Sequence, residues 1–371
     1  MLVDTELEGH HVLWLCLTAK VMLDSGCAVV LVVHHDLQAV RERIGQIDPS
    51  LADRLTIIAS PISSQTSVRG YFGEICRIFR ASAADRILFN NFDTIASKLF
   101  RLSAVGYKPP QELAGKVAVI YHRPRPLDDG QHGFSVSWKR LGINRLIKQR
   151  FFSHLFLLDP FVVHQVSAKF SDFVKVDCLP DPWLLNDSPV HSPAEADFSG
   201  CKCKVLQYGV GDRRKGTELL LDALDSIKEP IDLTLAIVGR QKDPEIRARV
   251  ATSLHKIILI DRFIANAEER FLFETCDVIA IPYLSHYGSS NILSKAAQYK
   301  KPVLASDFHL IGRQVAENNL GLTFHDRDVG DLANTLRDLP GHDLEQYDGS
   351  LREYSQRCSF AAFSGVLQKM V

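Results

Sequence analysis

Two stretches in the second half of the chain combine glycine, cations and small hydroxyl residues as a phosphate group requires. The first is Gly209-Val210-Gly211-Asp212-Arg213-Arg214-Lys215-Gly216. It follows an apolar run and opens a helical pattern. Glycines admit an anion to the backbone, amides at a helix N-terminus attract it, and Arg213, Arg214 and Lys215 add charge. A solvated basic turn is the plainer alternative. The second stretch is Pro282–Asn291, where Gly288, Ser289, Ser290 and Asn291 offer amides and hydroxyls to a diphosphate. A simple helix cap is compatible with that role, since Ser and Asn are favoured caps. The first stretch is not a dinucleotide fingerprint, because Arg214 replaces the third glycine.

Three further segments carry candidate chemistry. His122 stands at the mouth of the strand Lys116–Tyr121, where an imidazole can act as a base or hold a hydroxyl. A histidine satisfied by backbone groups is equally compatible. Glu8, Gly9, His10 and His11 lie between a short first strand and a helix. They read as acceptor-binding residues or a helix cap, since a metal needs more ligands at fixed spacing. Residues 138–152 hold five basic residues, no acidic one, and Trp138, Leu141, Leu146, Phe151 and Phe152. Such a segment suits peripheral contact with an anionic membrane surface, or is an ordinary helix with a basic face.

The elements that must position these residues follow from hydrophobic period. Strands are expected at Lys204–Gly209, Ile231–Gly239, Lys256–Ile260, Asp277–Ile281, Pro302–Ala305 and Leu320–Phe324, with helices between them. The first half repeats the theme near Ala28–Val33, Leu55–Ala59, Arg86–Asn90, Lys116–Tyr121, His154–Leu158 and Phe173–Val176. Strand–helix alternation with short connections predicts parallel sheets covered on both faces. In such sheets ligands bind beyond the carboxyl ends of the strands. The expected organisation is a first domain over 1–185, a Pro- and Ser-rich linker, a second domain over 200–345, and a helical segment over 346–371 packing back on the first.

Composition narrows the partners. The chain has 371 residues, enough for two α/β domains, and a formal net charge of −1, which argues against nucleic acid as a partner. Its eight cysteines include no CxxC pair, so a zinc site is not expected and a reducing compartment is. No apolar run is long enough to span a membrane and no signal peptide is visible, so a cytoplasmic location is expected, at the inner face of the membrane if residues 138–152 bind it.

Taken as a set, several of these segments resemble a known family. Tyr208–Gly216, Ile237–Gly239, Asp261–Ile264, Cys276–Tyr283 and Gly288–Asp307 resemble the donor-binding half of the group 1 (family 4) glycosyltransferases. The resemblance covers about residues 204–340. The first half is similar more loosely, through Gly9-His10-His11 and His122. It implies the GT-B fold: α/β, two Rossmann-like domains with parallel sheets facing a central cleft. It implies transfer of a sugar from a nucleoside diphosphate sugar to a glycan or lipid-linked acceptor in polysaccharide synthesis, with retention and without a metal or other cofactor. Lys215 matches the family's diphosphate lysine. Val210 stands at its arginine position, with Arg213 or Arg214 as substitutes. Arg262 and Phe263 would lie in the base pocket, and His122 near the transferred sugar. Two family glutamates are replaced, by Tyr287 and Lys295. The rival expectation is therefore a catalytically inactive, transferase-like binding or regulatory protein. A nucleotide-sugar epimerase fits less well, since it needs acids in that region.

Overall fold

In the computed structural model the chain divides into two units, Met1–Pro180 with Phe363–Val371, and Asp181–Ala362. The structure describes residues 1–5, 11–34, 37–184 and 186–371, and of His11 only the backbone. Among the described residues the first unit has a parallel sheet of β1 (Leu2–Val3), β2 (Val30–Val33), β3 (Thr56–Ala59), β4 (Ile87–Phe89), β5 (Val117–Tyr121), β6 (Phe152–Leu157) and β7 (Lys175–Cys178). Their order is β3-β2-β1-β4-β5-β6-β7. The second unit has β8 (Cys203–Tyr208), β9 (Leu233–Val238), β10 (Lys256–Ile260), β11 (Val278–Ile281), β12 (Val303–Ser306) and β13 (Gly321–Phe324). Their order is β10-β9-β8-β11-β12-β13, again all parallel.

The period of two explains why these runs are strands buried on both faces. In the second unit Leu206, Ala236, Val238, Ile279 and Ile281 enter one core, while Val205, Leu235, Ile237, Val278 and Ala280 enter the other. Each core is closed by helices whose apolar stripes repeat at helical spacing, such as Leu220, Ala223 and Leu224 in Thr217–Ser226.

Two expectations about the chain's division change. The stretch read as a linker belongs to the second unit. The Trp183 indole donates to the Ser355 carbonyl at 2.8 Å, Asn186 Nδ2 to the Asn266 carbonyl at 2.7 Å, and Arg270 to the Ser188 carbonyl at 3.1 Å. Proline and serine made it look solvated, but its Trp183 and Asn186 side chains and its Ser188 carbonyl are docked on the second unit. Residues 346–362 also stay with the second unit, where Leu351 and Tyr354 share a core with Leu293 and Ala297. Only Phe363–Val371 groups with the first unit, where the Phe363 ring meets Trp14 edge-on at 5.3 Å.

One close approach sets the packing of the first unit's helices. A Cβ on Gly142, in the helix Phe134–Lys148, would lie 1.8 Å from the Phe100 carbonyl oxygen of the helix Asp93–Ala104. Gly45, in the helix Leu37–Ile47, has nothing within 4 Å of that position. Alanine is the better helix former by about 1 kcal/mol at either site. Gly45→Ala should therefore raise the unfolding free energy by roughly 0.5–1 kcal/mol. Gly142→Ala should lower it by about 2 kcal/mol or more, because backbone must shift. Urea denaturation of the two variants checks the opposite signs.

Candidate functional site

Strand order decides where a ligand can sit on the second unit. The chain runs outward from β8 through β9 to β10, then returns to β11 and runs outward the other way through β12 to β13. A crevice opens beyond the strand ends where these two directions part, between β8 and β11. The loops after β8 and β11 are the two stretches singled out by their composition.

The structure locks these loops together. The Leu284 amide donates to the Arg214 carbonyl at 2.9 Å, and Gln207 Nε2 donates to the Lys215 carbonyl at 3.0 Å. Gly216 adopts φ +71°, and a Cβ there would meet the Pro282 carbonyl oxygen at 1.9 Å. Only glycine satisfies both demands. Asp212 caps the short turn Arg213–Lys215 by accepting the Lys215 amide at 3.1 Å.

The cations of the first loop are arranged unequally. Lys215 Nζ hydrogen-bonds the Tyr283 hydroxyl and lies 4.1 Å from that ring's centroid. Arg214 donates to His286 Nδ1 at 3.0 Å, so the proton of a neutral His286 sits on Nε2, which donates to the Ser289 carbonyl at 3.2 Å. Arg213 is 91% exposed at its side chain. Gly211 lies against Gln241, its amide donating to the Arg240 carbonyl at 2.9 Å. A cavity of about 590 Å³ opens on that side, lined among others by Asp212, Arg213, Gln241 and Arg249.

The second loop offers an anion its backbone more than its side chains. Ser289 Oγ donates to Asp181 at 3.0 Å and Asn291 Nδ2 to the Pro182 carbonyl at 2.9 Å, so both side chains anchor the start of the unit. The Ser290 hydroxyl turns to the Tyr283 hydroxyl at 3.4 Å. The Ser290 side chain makes no capping bond to the helix Asn291–Gln298. The simple cap weighed as the alternative is thus not made by Ser290, and the amide end of this helix follows directly on the β11 loop.

The remaining donor-side candidates separate. Arg262 is committed to two carboxylates, Glu268 at 2.7 and 2.9 Å and Glu195 at 3.0 and 3.1 Å. That pairing holds the Glu268 carboxyl down to about 2. Phe263 beside it is 90% exposed. Lys295 forms a 2.7 Å ion pair with Glu269 and lies 5.7 Å from the Tyr208 ring. Glu269 escaped sequence reading, because nothing in a helix pattern says which lysine it will meet. Tyr287 is half-buried and its ring centroid lies 4.0 Å from that of His309.

The first unit repeats the topology, with β1 beside β4 where the two directions part. Glu8, Gly9 and His10 lie outside the described residues, as does the side chain of His11, which begins the helix His11–Asp24. At the strand ends Asn90 is fully buried. It donates to Asp4 at 2.7 Å and accepts from Thr18 at 2.9 Å. His122 Nε2 lies 3.3 Å from the Asn90 carbonyl, and its ring meets Trp14 edge-on at 4.9 Å. Asp93, missed by the sequence reading, accepts the amides of His122 at 2.8 Å and Arg123 at 3.1 Å. It follows β4 as the loop after β8 follows its strand, and that position was the available signal.

Residues 138–152 divide between surface and core. Gly142, Ile143, Leu146, Ile147, Phe151 and Phe152 are buried. Arg140 donates to the carbonyls of Pro126, Asp128 and Gln131, and Arg145 to those of Ser103 and Ala104. The exposed apolar stripe is Phe134, Trp138 and Leu141, one turn earlier than the composition suggested.

Burial pushes the Asp93 carboxyl up to about 6, against the opposing pull of the His122 and Arg123 amides. A carboxyl raised in the folded state favours folding at low pH, and that contribution is lost as pH rises through about 6. The stability difference between wild type and Asp93→Asn should fall between pH 4 and pH 7 by roughly 2–3 kcal/mol. Urea titrations across that range check it, and a flat difference would contradict the burial.

Comparison with known proteins agrees with this topology. Residues 203–341 match the family model "Glycosyl transferases group 1". The chain is similar to the GDP-mannose:glycolipid 4-beta-D-mannosyltransferase of Xanthomonas campestris pv. campestris, 31% identical over 105 residues, covering 28% of this chain and 30% of the relative. It is similar to the phosphatidyl-myo-inositol mannosyltransferase of Mycobacterium leprae, 26% identical over 211 residues, covering 56% of this chain and 55% of the relative. The chain thus spans about half the relative's length or less. Among solved structures, Anabaena Alr3699/HepE in complex with UDP superposes with a TM-score of 0.67 at 15% identity, covering 99% of this chain and 97% of that one. WaaG, a glycosyltransferase involved in lipopolysaccharide biosynthesis, gives 0.60 at 13% identity, covering 100% and 98%. Two parallel-sheet units in this order are the GT-B fold, and residues 203–341 of the second unit are similar to the group 1 glycosyltransferases.

Proposed function

We propose that the chain transfers a sugar from a nucleoside diphosphate donor to a lipid-linked or glycan acceptor. The observation that carries this reading is the pair of interlocked loops at the β8–β11 crevice. One presents Arg214 and Lys215, the other the amide end of the helix Asn291–Gln298, which the Ser290 side chain does not cap. As the bond from the anomeric carbon to the phosphate oxygen breaks, negative charge grows on that oxygen. Cations and amides already aimed there lower the barrier without reorganising. The acceptor hydroxyl bonds to the anomeric carbon and its proton passes to the departing phosphate. Retention and independence of metal are part of this proposal. Acceptor handling is assigned to the first unit, with His122 as its candidate residue.

The named relatives support a mannosyl donor and a lipid acceptor, since one uses GDP-mannose and a glycolipid and the other acts on phosphatidyl-myo-inositol. Among the described residues no helix is long and apolar enough to cross a membrane. Contact with a lipid acceptor is therefore assigned to the stripe Phe134, Trp138 and Leu141. Its exposed aromatic rings stack at 6.0 Å, and Lys139 faces Arg101 and Arg125 closely enough that their charges, after burial, depress its basicity. Phe134→Ala/Trp138→Ala should cut binding to vesicles of anionic phospholipid by about tenfold, given about 25 cal/mol per Å² of apolar area. Cosedimentation measures it, and unchanged binding removes the stripe from this role.

The pair Lys295–Glu269 favours a second reading, a transferase-like protein without turnover, because no acid stands at position 287 or 295. Hydrolysis or transfer assays with GDP-mannose and UDP-glucose separate the two. For the phosphate loops themselves, Lys215→Ala should weaken nucleoside diphosphate binding by about tenfold or more, the usual worth of a charge-assisted bond. Calorimetry reads this directly, and an unchanged dissociation constant would reject the loop.

A further inference from the structure

At the carboxyl ends of the first sheet three neighbouring strands contribute to one arrangement. Asp4, Asn90 and His122 directly follow β1, β4 and β5. The His122 backbone is fixed by Asp93, which accepts its amide at 2.8 Å. The His122 ring is tethered to the Asn90 carbonyl, 3.3 Å from Nε2. A carbonyl only accepts, so in the neutral ring Nε2 carries the proton and Nδ1 is the acceptor nitrogen. That bond is at the long end of the N–H···O range, and a histidine ring turns about χ2 between two broad orientations. The bond alone is a weak hold on the ring.

The helix His11–Asp24 supplies further support from two positions one turn apart. Thr18 donates to the Asn90 side chain at 2.9 Å, and Asn90 donates to Asp4 at 2.7 Å. The residue whose carbonyl meets His122 is therefore itself fixed, and both Thr18 and Asn90 are fully buried. One turn earlier, Trp14 sets its ring edge-on to the imidazole, with centroids 4.9 Å apart and 70° between planes. Residues four apart share a helix face, so one face of this helix serves both the tether and the ring. Edge-on ring pairs at such a distance attract beyond what buried area alone gives.

Trp14 is backed in turn by a residue distant in sequence. Phe363, in the helix Phe360–Leu367, meets the indole edge-on at 5.3 Å and 85° between planes. It is the residue at which the chain rejoins the first unit. Phe363 is fully buried and Trp14 is 2% exposed, so both rings are enclosed by close packing. Other bonds fasten the same segment: Gln368 donates to Ser25 at 3.3 Å and Lys369 pairs with Asp177, both at exposed positions. Those hold the segment to the unit, whereas Phe363 touches the ring that touches His122. Phe363, Trp14 and His122 form one row of edge-on rings ending at the strand ends.

We propose that Trp14 and Phe363 are positioning residues for His122, an inference that rests on the reading of His122 as the first unit's candidate residue. The row of rings keeps the imidazole turned with Nε2 toward Asn90, and so sets which nitrogen is the acceptor. Nitrogen magnetic resonance of the full chain, carrying isotope-labelled histidine, reads the tautomer directly. The His122 signals are assigned by their loss in His122→Gln. Trp14→Leu and Phe363→Leu remove a ring and keep an apolar side chain, while Trp14→Phe keeps an aromatic edge. At about pH 8, above the ordinary imidazole range, wild type should show His122 protonated at Nε2. Both leucine variants should move its ring nitrogens toward the average of the two tautomers, and Trp14→Phe should stay with wild type. His154, whose Nε2 lies 2.7 Å from Asp177 in the same unit, should not move, which reports that the unit remains folded. This readout needs no turnover. Hydrolysis of GDP-mannose and UDP-glucose gives the second readout. Trp14→Leu should lower kcat by about three- to tenfold, the worth of one edge-on ring contact, with KM for the donor within about twofold. An unmoved His122 signal in both leucine variants, or one that moves together with that of His154, overturns the inference. So does an unchanged kcat in Trp14→Leu where His122→Gln loses turnover. Full turnover in His122→Gln instead removes the reading of His122 and leaves the row of rings as packing alone.

Discussion

The close approach of Gly216 to the Pro282 carbonyl is the constraint on which the second unit's site depends. Parallel order places β8 beside β11, but adjacency of strands does not by itself bring two loops together. A left-handed glycine with no side chain lets the β8 loop turn into its helix against the backbone of the β11 loop. The Leu284–Arg214 hydrogen bond then fixes the contact, and Lys215 and Arg214 are both brought over Tyr283. Any side chain at 216 would separate the cations from the helix end that shares the crevice with them.

Charge is distributed around this point with economy. Of the cations the sequence offered as ligands, Arg262 and Lys295 are spent on carboxylates within the unit. Lys295 stands where an unpaired half-buried charge would be expensive, while Arg262 sits in a more exposed place, where two carboxylates hold its fork. Near the β8–β11 crevice stands the Arg213–Lys215 turn, whose two arginines are paired more loosely, with Glu218 at 4.0 Å and Asp212 at 3.6 Å, and where the positive end of a helix adds to the field. The anion-binding character of the site comes from this short turn and from backbone.

The sequence was legible where a period or a turn chemistry determines the local structure. The runs around Val205, Leu235 and Ile279 have no polar alternative, and their strands lie within a residue or two of expectation. Gly209–Gly216 and Pro282–Asn291 were legible as loops between strand and helix. Partners were not legible. Nothing in the spacing says that Lys295 will meet Glu269, that Asn291 will spend its amide on Pro182, or that Ser290 will turn from capping to Tyr283. These are choices among groups distant in sequence, decided by packing. The stretch 186–199 misled for the same reason: its composition is that of a linker, and its hydrogen bonds are those of a docked segment.

The family match over residues 203–341 and the geometry of the second unit's loops lead to one claim, that a pyrophosphate belongs between the Arg214–Lys215 turn and the start of the helix Asn291–Gln298. The most direct measurement is a crystal structure of the protein soaked with GDP or UDP. The account predicts pyrophosphate density within hydrogen-bonding distance of Lys215 and of the Ser290 and Asn291 amides, about 2.7–3.2 Å. Density instead in the cavity beside Gly211 and Gln241, with the β8–β11 crevice empty, would contradict it.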